Sequence, residues 1–216
     1  MEFVYVVERS QLFDLAHPQG FAAAATDRKS AADRIARIRR HGFFVERRKA
    51  EQNSSWKQVI PYVVVRKGDS ILLLERTGKQ GEARLHGKLS IGVGGHVNPV
   101  DTQGDALFDG LKRELEEELT VTGPIELRAA GFLNDDSTDV GAVHYGLVAV
   151  ADARRAEVAI RETELMSGRF VATGELSDLC RRERARFETW SSLLIDRLDD
   201  VLASDLSLEE VFAARA

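Results

Sequence analysis

The chain has 216 residues, of which 44% are hydrophobic and 30% are charged, as is usual for a globular protein. Its formal net charge of −5 gives no general reason to expect nucleic-acid binding, and no apolar run approaches the roughly 18 residues of a membrane helix. Cys180 is the only cysteine, so no intrachain disulfide can form, and we expect a reducing compartment, the cytoplasm.

The first 55 residues precede the clearest motif and are assigned to an N-terminal α/β extension. Within it, the apolar run at residues 3–7 predicts a strand. A helix is expected over residues 27–40, with Gly42 as its stop and with Thr26, Asp27 or Ser30 as candidate N-caps. This extension offers a surface for a possible homodimer contact.

The expected helix belongs to a basic stretch, with nine Lys or Arg residues and two acids between Arg28 and Lys49. Such an excess is compatible with a phosphate or nucleic-acid patch, and equally with a solvated Arg-rich helix followed by a strand at residues 43–45. We favour the second interpretation, because no aromatic interleaving or nucleic-acid motif accompanies the charge.

Residues 58–74 predict a β-hairpin. Two apolar runs, at residues 63–65 and 71–74, flank a polar turn at residues 67–70. Because these runs lack a clean alternation of apolar and polar residues, we expect at least one strand to be buried on both faces. Residues 89–93 predict a further strand that leads into the motif.

The most informative stretch is residues 92–121, which read GVGGHVNPVDTQGDALFDGLKRELEEELTV. Its second half predicts a helix, because leucines recur at intervals of four from Leu107 onwards. Its first half contains Gly94 and Gly95, which lack a Cβ, so the backbone there can approach another group closely.

The expected helix ends in a cluster of carboxylates. Glu114, Glu117 and Glu118 are spaced by three and four residues, so they lie on one face of the last turn, where the helix dipole is already negative. Like-charge repulsion and the dipole both disfavour this arrangement, and a bound Mg²⁺, which prefers oxygen ligands, would remove both penalties. On its own an acidic helix end is more often a solvated face, but the glycine pair ahead of it favours a site.

The stretch resembles the Nudix box, usually written G-x5-E-x7-R-E-U-x-E-E-x-G-U, where U is a bulky aliphatic residue. Gly95 matches the first glycine, and Asp101 stands where the first glutamate belongs. Residues 113–118, which read RELEEE, match R-E-U-x-E-E without a gap, and Val121 matches the final U.

Three positions depart from this pattern. The first acid is Asp101 instead of glutamate, and eleven residues separate it from the box arginine instead of seven. Asp105 has the seven-residue spacing, but Pro99 would then replace the first glycine. Thr120 replaces the last glycine, and a β-branched residue is poor at positive φ, so Gly123 is the alternative for the helix exit.

Strands and helices are also predicted after the box. Four strands are expected, at residues 125–132, 143–150, 157–160 and 169–172. One long helix is expected from Ser177 or Asp178 to about Ala203, and a second short helix after Ser207.

The resemblance to the Nudix family covers roughly residues 57–203. It implies an α/β/α sandwich around a mixed β-sheet, which places the chain in the α/β (α+β) class. We therefore divide the chain into the extension at residues 1–55, a Nudix domain at residues 56–205 and a C-terminal tail at residues 206–216.

The resemblance also implies an activity, the hydrolysis of a pyrophosphate bond in a nucleoside diphosphate linked to another group, with Mg²⁺ or Mn²⁺ as cofactor. Residues 56–62 and 87–96 are similar to a prokaryotic branch of the family whose members are labelled by prediction as phosphoesterases. By the same resemblance Glu114 and Glu118 would hold the metal, and Glu117 would lie in the same shell. Glu114 would also act as the base toward water.

Further roles follow from the same resemblance. Arg113 would pair with a helical glutamate, and a backbone carbonyl of Gly94 or Gly95 would complete the metal sphere. Nudix enzymes often recruit another acid from a loop beyond the box, for which Glu164 and Glu162 are the candidates, although a surface glutamate is the commoner finding. Cations that flank the box and could contact substrate phosphates are Arg76, Arg84 and Lys88.

Three other interpretations remain open. A Nudix-fold module could bind a nucleotide without cleaving it, but such modules would lack box carboxylates that are present here. A Nudix-fold isomerase acting on isopentenyl diphosphate would need a cysteine near the box, whereas Cys180 lies far away in sequence. A structural domain with a coincidental motif would have no affinity for metal.

Overall fold

The computed structural model describes residues 1–14, 17–76, 87–101, 104–161 and 163–213, the last of these without its side chain. The N-terminal segment contains β1 (Phe3–Glu8), α1 (Arg9–Leu12), β2 (Gly20–Ala23), α2 (Arg28–His41), β3 (Phe43–Glu46) and α3 (Arg47–Ala50). The middle contains β4 (Trp56–Lys67), β5 (Ser70–Arg76), β6 (Leu89–Ser90), β7 (Gly92–Val93), α4 (Ala106–Glu118), β8 (Leu119–Thr122) and β9 (Glu126–Asn134). The remainder contains α5 (Asp139–Ala142), β10 (His144–Asp152), β11 (Glu157–Ile160), β12 (Met166–Ala172), α6 (Thr173–Arg182), α7 (Thr189–Ile195), α8 (Leu198–Leu202) and α9 (Leu208–Ala213).

One mixed sheet forms the centre of the molecule. Its strands follow the order β12-β5-β4-β10-β9-β2, with β1 and β7 paired to β4, β6 paired to β5, and β3 paired to β1. The pairing of β4 with β10 is parallel, and the other pairings are antiparallel. Strands β8 and β11 form a separate two-stranded antiparallel ribbon.

Helices cover both faces of this sheet, as the α/β/α expectation requires. On one face, Ile35 of α2 and Leu111 of α4 pack in a core cluster with Val63 of β4. On the other face, Leu176 of α6 and Leu194 of α7 pack in a second cluster, together with alternate residues of the same strand. Strand β4 is therefore buried on both sides, which explains why its sequence lacks a polar alternation.

The local signals of the first half are confirmed. Asp27 caps α2, because its side chain accepts a hydrogen bond from the backbone N–H of Ser30 at 2.9 Å. The hairpin of β4 and β5 turns at Gly68, whose φ of 63° is readily adopted only by glycine.

Most cations of the basic stretch form ion pairs within the chain. Most of its cations meet a carboxylate, in the pairs Arg28–Asp205, Lys29–Asp33, Arg37–Asp14, Arg39–Asp105, Arg47–Glu2, Arg47–Glu51, Arg48–Glu46 and Lys49–Glu46. Most cations of this stretch are therefore paired with carboxylates of the same chain.

The N-terminal segment shares the sheet and the core with the rest of the chain. β1 pairs with β4, β2 pairs with β9, and α2 packs on the same face of the sheet as α4, the helix of the Nudix-like motif. The divisions at residues 55 and 205, and a homodimer, stay predictions.

The single long C-terminal helix expected from Ser177 is wrong, because the chain forms α6, α7 and α8 instead. The first break has a clear cause. Phe187 is buried and bridges to Leu89 of β6, and the backbone N–H of Glu188 donates to the Leu89 carbonyl at 2.9 Å. This pairing with the sheet competes with helical hydrogen bonds. The short helix after Ser207 is confirmed as α9.

No helix in the described part of the chain is long and apolar enough to cross a membrane.

A buried ion cluster joins the N-terminal segment to the loop after β9. The side chain of Lys57 is 0% exposed, and its Nζ donates to Asp136 Oδ1 at 2.6 Å and to the carbonyl of Gly141 at 2.9 Å. Arg9 donates two hydrogen bonds to the same carboxylate, at 2.7 and 2.8 Å. Burial lowers the pKa of Lys57 to about 8, against the opposing effect of Asp136.

We predict that Asp136→Asn lowers the free energy of unfolding by about 3 kcal/mol at pH 7, because it leaves the buried Lys57 ammonium without its counter-charge. Urea denaturation measures this loss. Asp14→Asn is the control, since its pair with Arg37 is exposed and should change stability by less than about 1 kcal/mol.

The same variant has a pH signature. Hydrogen bonds from Arg9, and then from Lys57, hold the pKa of Asp136 below its ordinary value. The stabilisation is therefore present above the unfolded-state pKa of 3.8 and is lost as the pH falls below it. The wild-type protein should lose more stability than Asp136→Asn below pH 3.8, and equal losses would contradict this account.

Candidate active site

The glycine pair, Gly94 and Gly95, lies in the box loop (residues 94–101). It brings this loop against strand β4 and against α4, the box helix. β7 pairs with β4, and a Cβ at Gly94 would collide with the backbone carbonyl oxygen of Pro61. A Cβ at Gly95 would lie 2.5 Å from Glu114 Oε2 and 2.7 Å from its Cδ. The absence of a side chain at Gly95 is therefore what lets the Glu114 carboxylate lie against the loop backbone.

The box helix starts and ends at well-defined residues. Asp105 is the N-cap of α4, because its Oδ1 accepts from the backbone N–H groups of Leu107 and Phe108. The last helical residue is Glu118, and Leu119 is already extended with a φ of −124°. No left-handed residue is needed at this exit, because β8 begins directly. The positive φ expected nearby occurs at Gly123, after that strand.

Arg113 is the hub of the site. Its Nε donates to Asp101 Oδ1 at 2.8 Å, and its Nη1 donates to Glu114 Oε1 at 2.8 Å and to Glu117 Oε2 at 2.9 Å. Its Nη2 donates to the carbonyl of His96 at 2.7 Å. Burial opposes the charge of this guanidinium, but Asp101 and Glu114 outweigh it, so the pKa of Arg113 lies above its ordinary value.

These contacts separate the roles of the two acids that could fill the first acidic position of the box. Asp101 is buried and binds the arginine, whereas Asp105 caps the helix and pairs with Arg39 at 2.6 Å. These contacts favour Asp101 over Asp105 for the first acidic position of the box.

The three helical glutamates differ in environment. The Glu114 side chain is 13% exposed, Glu118 is 9% exposed, and the Glu117 side chain is 54% exposed. Burial raises the pKa of Glu114, and the charge of Arg113 opposes this rise. Two carboxylates are thus largely withdrawn from water, and the third lies at the rim.

In the described part of the chain, no three His, Cys, Asp or Glu side chains are arranged with the spacing of a metal centre. Arg113 instead binds Glu114 and Glu117 through one nitrogen.

Glu164 lies in the turn between β11 and β12, three residues after Arg161. The backbone N–H of Arg161 donates to the carbonyl of Glu118 at 2.9 Å, and Met166 pairs with Arg76. The turn that carries Glu164 therefore follows a contact with the end of α4 and precedes the pairing with β5, and Glu164 itself is exposed. The second acid expected from this loop, Glu162, lies outside the described residues.

The three cations expected to contact substrate have different outcomes. Arg76 donates to Glu188 Oε1 at 3.1 Å, and both side chains are mostly buried. Burial opposes its charge, but Glu188 and then Glu118 outweigh it and raise the pKa of Arg76, so this cation lies in the field of the box helix. Lys88 donates to the carbonyl of Ala185. Arg84 lies outside the described residues.

Two features of the site had no signal in the sequence. His96 follows Gly95 and is mostly, though not fully, buried, and its ring centroid lies 5.7 Å from that of His144. Burial, followed by the charge of Arg47, lowers the pKa of His96 to about 3, so the ring is neutral at pH 7. Asn98 accepts a hydrogen bond from Arg113, a role that only the folded loop reveals.

A mixed sheet between two helical layers, with an arginine-centred acidic helix end against a glycine pair, defines a Nudix-type protein. No family model matches the chain. The curated "Protein YmaB" of Bacillus subtilis (strain 168) is 32% identical over 206 residues, which cover 92% of this chain and 98% of that protein. The crystal structure of Tm1382, described as "a putative Nudix hydrolase", matches with a TM-score of 0.74 at 29% identity, over 91% of this chain and 98% of Tm1382. The chain belongs to the Nudix family.

We predict different effects for an added methyl group at the two box glycines. Gly94→Ala should lower the free energy of unfolding by roughly 1–3 kcal/mol, because the Pro61 backbone cannot move aside. Gly95→Ala should cost less than Gly94→Ala, because the end of the Glu114 side chain can rotate away.

Thermal or urea unfolding of both variants measures this difference. Gly174→Ala is the matched control, since its Cβ would meet nothing within 4 Å. Equal destabilisation by the two box variants would show that the loop is not packed as described.

Proposed function

We propose that this chain is a metal-dependent Nudix hydrolase that cleaves a phosphoanhydride bond in a nucleoside diphosphate linked to another group. The Nudix fold and the likeness to Tm1382 support a hydrolase. The observation that carries the finer proposal is the placement of Glu114 and Glu118, two mostly buried carboxylates, at the end of one helix.

The donor set fits a hard divalent cation. One guanidinium cannot neutralise Asp101, Glu114 and Glu117 together, and the C-terminal end of α4 adds further negative potential. Carboxylate oxygens are the ligands that Mg²⁺ and Mn²⁺ prefer. Gly95 leaves the loop backbone open toward Glu114, so a carbonyl there could join the carboxylates.

We assign the metal ligands accordingly. Glu114 and Glu118 would hold Mg²⁺, or alternatively Mn²⁺, with Glu117 at the exposed rim of the same site. A carbonyl of Gly94 or Gly95, and the carboxylate of Glu164 from the adjacent turn, would be the other protein ligands. When bound, the cation would supply positive charge that neutralises the phosphoanhydride oxygens.

The chain's own residues account for the remaining chemistry. The oxygen of a water molecule forms a bond to phosphorus, the bridging P–O bond breaks, and a proton of the water passes to Glu114. The raised pKa of Glu114 makes it a better base than an exposed glutamate. Arg113 orients that carboxylate through a 2.8 Å hydrogen bond.

Basic side chains would bind the phosphate groups of the products as they leave the site. Arg76 is the first candidate, because it lies in the field of Glu118 and is already oriented by Glu188. Lys88 and Arg84 are the others, by their positions beside the box in the sequence.

A nucleotide-binding module without catalysis is the alternative function. The three box glutamates and Arg113 favour the hydrolase, since a binder has no use for a base beside a metal site. The isomerase is disfavoured further, because Cys180 is buried in the core on the face of the sheet opposite the box helix.

The experiment that tests the proposal is a screen with Mg²⁺ or Mn²⁺ in which the two cleavage products are separated by chromatography, because hydrolysis leaves a phosphate on each of them. Its substrates are nucleotide sugars, dinucleoside polyphosphates, NADH, ADP-ribose, coenzyme A and nucleoside triphosphates. Turnover that a chelator abolishes and added metal restores would support the hydrolase. Metal-dependent binding without turnover of any of them would favour the binding module.

We predict that Glu118→Gln lowers kcat/KM by roughly 100-fold, because the loss of a ligand charge removes about 2.7 kcal/mol of transition-state stabilisation. The fold should be retained. Glu116→Gln is the matched control, since this exposed residue lies on the same helix but on another face. Full activity of Glu118→Gln, or an equal loss in both variants, would contradict the assigned role.

A further inference from the structure

The first strand continues along the box loop where it leaves the central strand. β1 pairs with β4 through Val6 and Glu8, which face Gln58 and Trp56. Closer to the N-terminus its backbone turns to the loop instead, because Tyr5 N–H donates to the carbonyl of Val97 at 2.9 Å. The box loop is thus held on one side by a strand that lies more than 90 residues earlier in the chain.

One side chain connects that strand to the arginine hub. The Nδ2 of Asn98 donates to the carbonyl of Phe3 at 2.8 Å, and its Oδ1 accepts from Arg113 Nη2 at 3.1 Å. The backbone N–H of Asn98 also donates to Asp101 Oδ2 at 2.7 Å. Both ends of the amide and the backbone of this residue are therefore engaged in fixing Arg113 and its partner.

We propose that Asn98 is a positioning residue that ties the first strand to Arg113, and thereby holds the Glu114 carboxylate in its working orientation. This inference rests on the proposed function and deepens it. With this role for Asn98, the N-terminal segment helps to set the geometry of the site, because the Phe3 carbonyl accepts one of the hydrogen bonds that hold Asn98.

The chemistry of the amide makes this connection specific. Only a side chain with both a donor and an acceptor can satisfy the Phe3 carbonyl and the Arg113 guanidinium at once. Aspartate has the same shape and keeps the acceptor for Arg113, but it would set an oxygen against the Phe3 carbonyl. Alanine loses both contacts.

Helix α2 provides a second contact between the N-terminal segment and the site. Arg39 of α2 forms an ion pair with Asp105, the N-cap of the box helix, and the Tyr5 hydroxyl donates to the carbonyl of Ile38 at 3.2 Å. The loop and the start of the helix are both held by residues from the first 41 of the chain.

Three variants of the full chain test the proposal. Asn98→Ala removes both contacts, and Asn98→Asp removes the contact with the strand while adding a negative charge beside Arg113. Asn134→Ala is the matched control, because its Nδ2 also donates to a carbonyl of the N-terminal segment, that of Pro18 at 2.9 Å, but it does not contact Arg113.

Three readouts separate positioning from stability. The first is kcat against KM for a substrate that the wild type turns over. The second is solvent exchange of the Arg113 Nε–H, measured by NMR without metal or substrate, and the third is Mn²⁺ affinity. A purely structural role would lower the melting temperature without changing any of these readouts in the folded protein.

We expect both Asn98 variants to lower kcat roughly tenfold with KM within about twofold of wild type. They should also speed exchange at Arg113 and weaken Mn²⁺ binding, whereas Asn134→Ala leaves these readouts unchanged. Wild-type kcat and exchange in Asn98→Asp would overturn the proposal, and this variant decides the matter if Asn98→Ala fails to fold. If the wild type hydrolyses nothing in the screen, the proposed function fails, while exchange and Mn²⁺ affinity still judge Asn98 separately.

Discussion

The structure of the site depends on one arginine that shares its hydrogen bonds among three carboxylates. Arg113 binds Asp101 from the loop and both Glu114 and Glu117 from its own helix. Asp101 is nearly inaccessible to water, so removal of the guanidinium would leave a buried charge without a partner. The arginine therefore fixes the loop to the helix, and it does so with a geometry that leaves excess negative charge.

That excess charge connects the fold to the proposed chemistry. Acids at the C-terminal end of a helix are disfavoured by the dipole and by one another. A fold that nevertheless buries Glu114 and Glu118 there maintains a strained electrostatic arrangement, which a divalent cation would relieve. Arg76, which pairs with Glu188 and lies in the electrostatic field of Glu118, limits this strain without removing it.

Local features of the fold could be predicted from the sequence, and long-range ones could not. The cap at Asp27, the turn at Gly68 and the leucine face of α4 are set by neighbouring residues, so their patterns are visible in the chain. The contact of Asn98 with Phe3 joins residues 95 positions apart, and no periodicity indicates it.

The errors have the same origin. The C-terminal helix was expected to be continuous because its apolar residues have helical spacing, but the bridge from Phe187 to Leu89 interrupts it. In the site, the spacing of the glutamates predicts that they share a helix. Which of them are buried, however, depends on the glycine loop that packs against two of them and leaves the third exposed.

The most direct test of the account is a crystal soaked in Mn²⁺ and measured at a wavelength where manganese scatters anomalously. We expect an anomalous peak bonded to carboxylate oxygens of Glu114 and Glu118, with Arg113 still hydrogen-bonded to Asp101. Anomalous density elsewhere, or none beside these oxygens at saturating Mn²⁺, would contradict it.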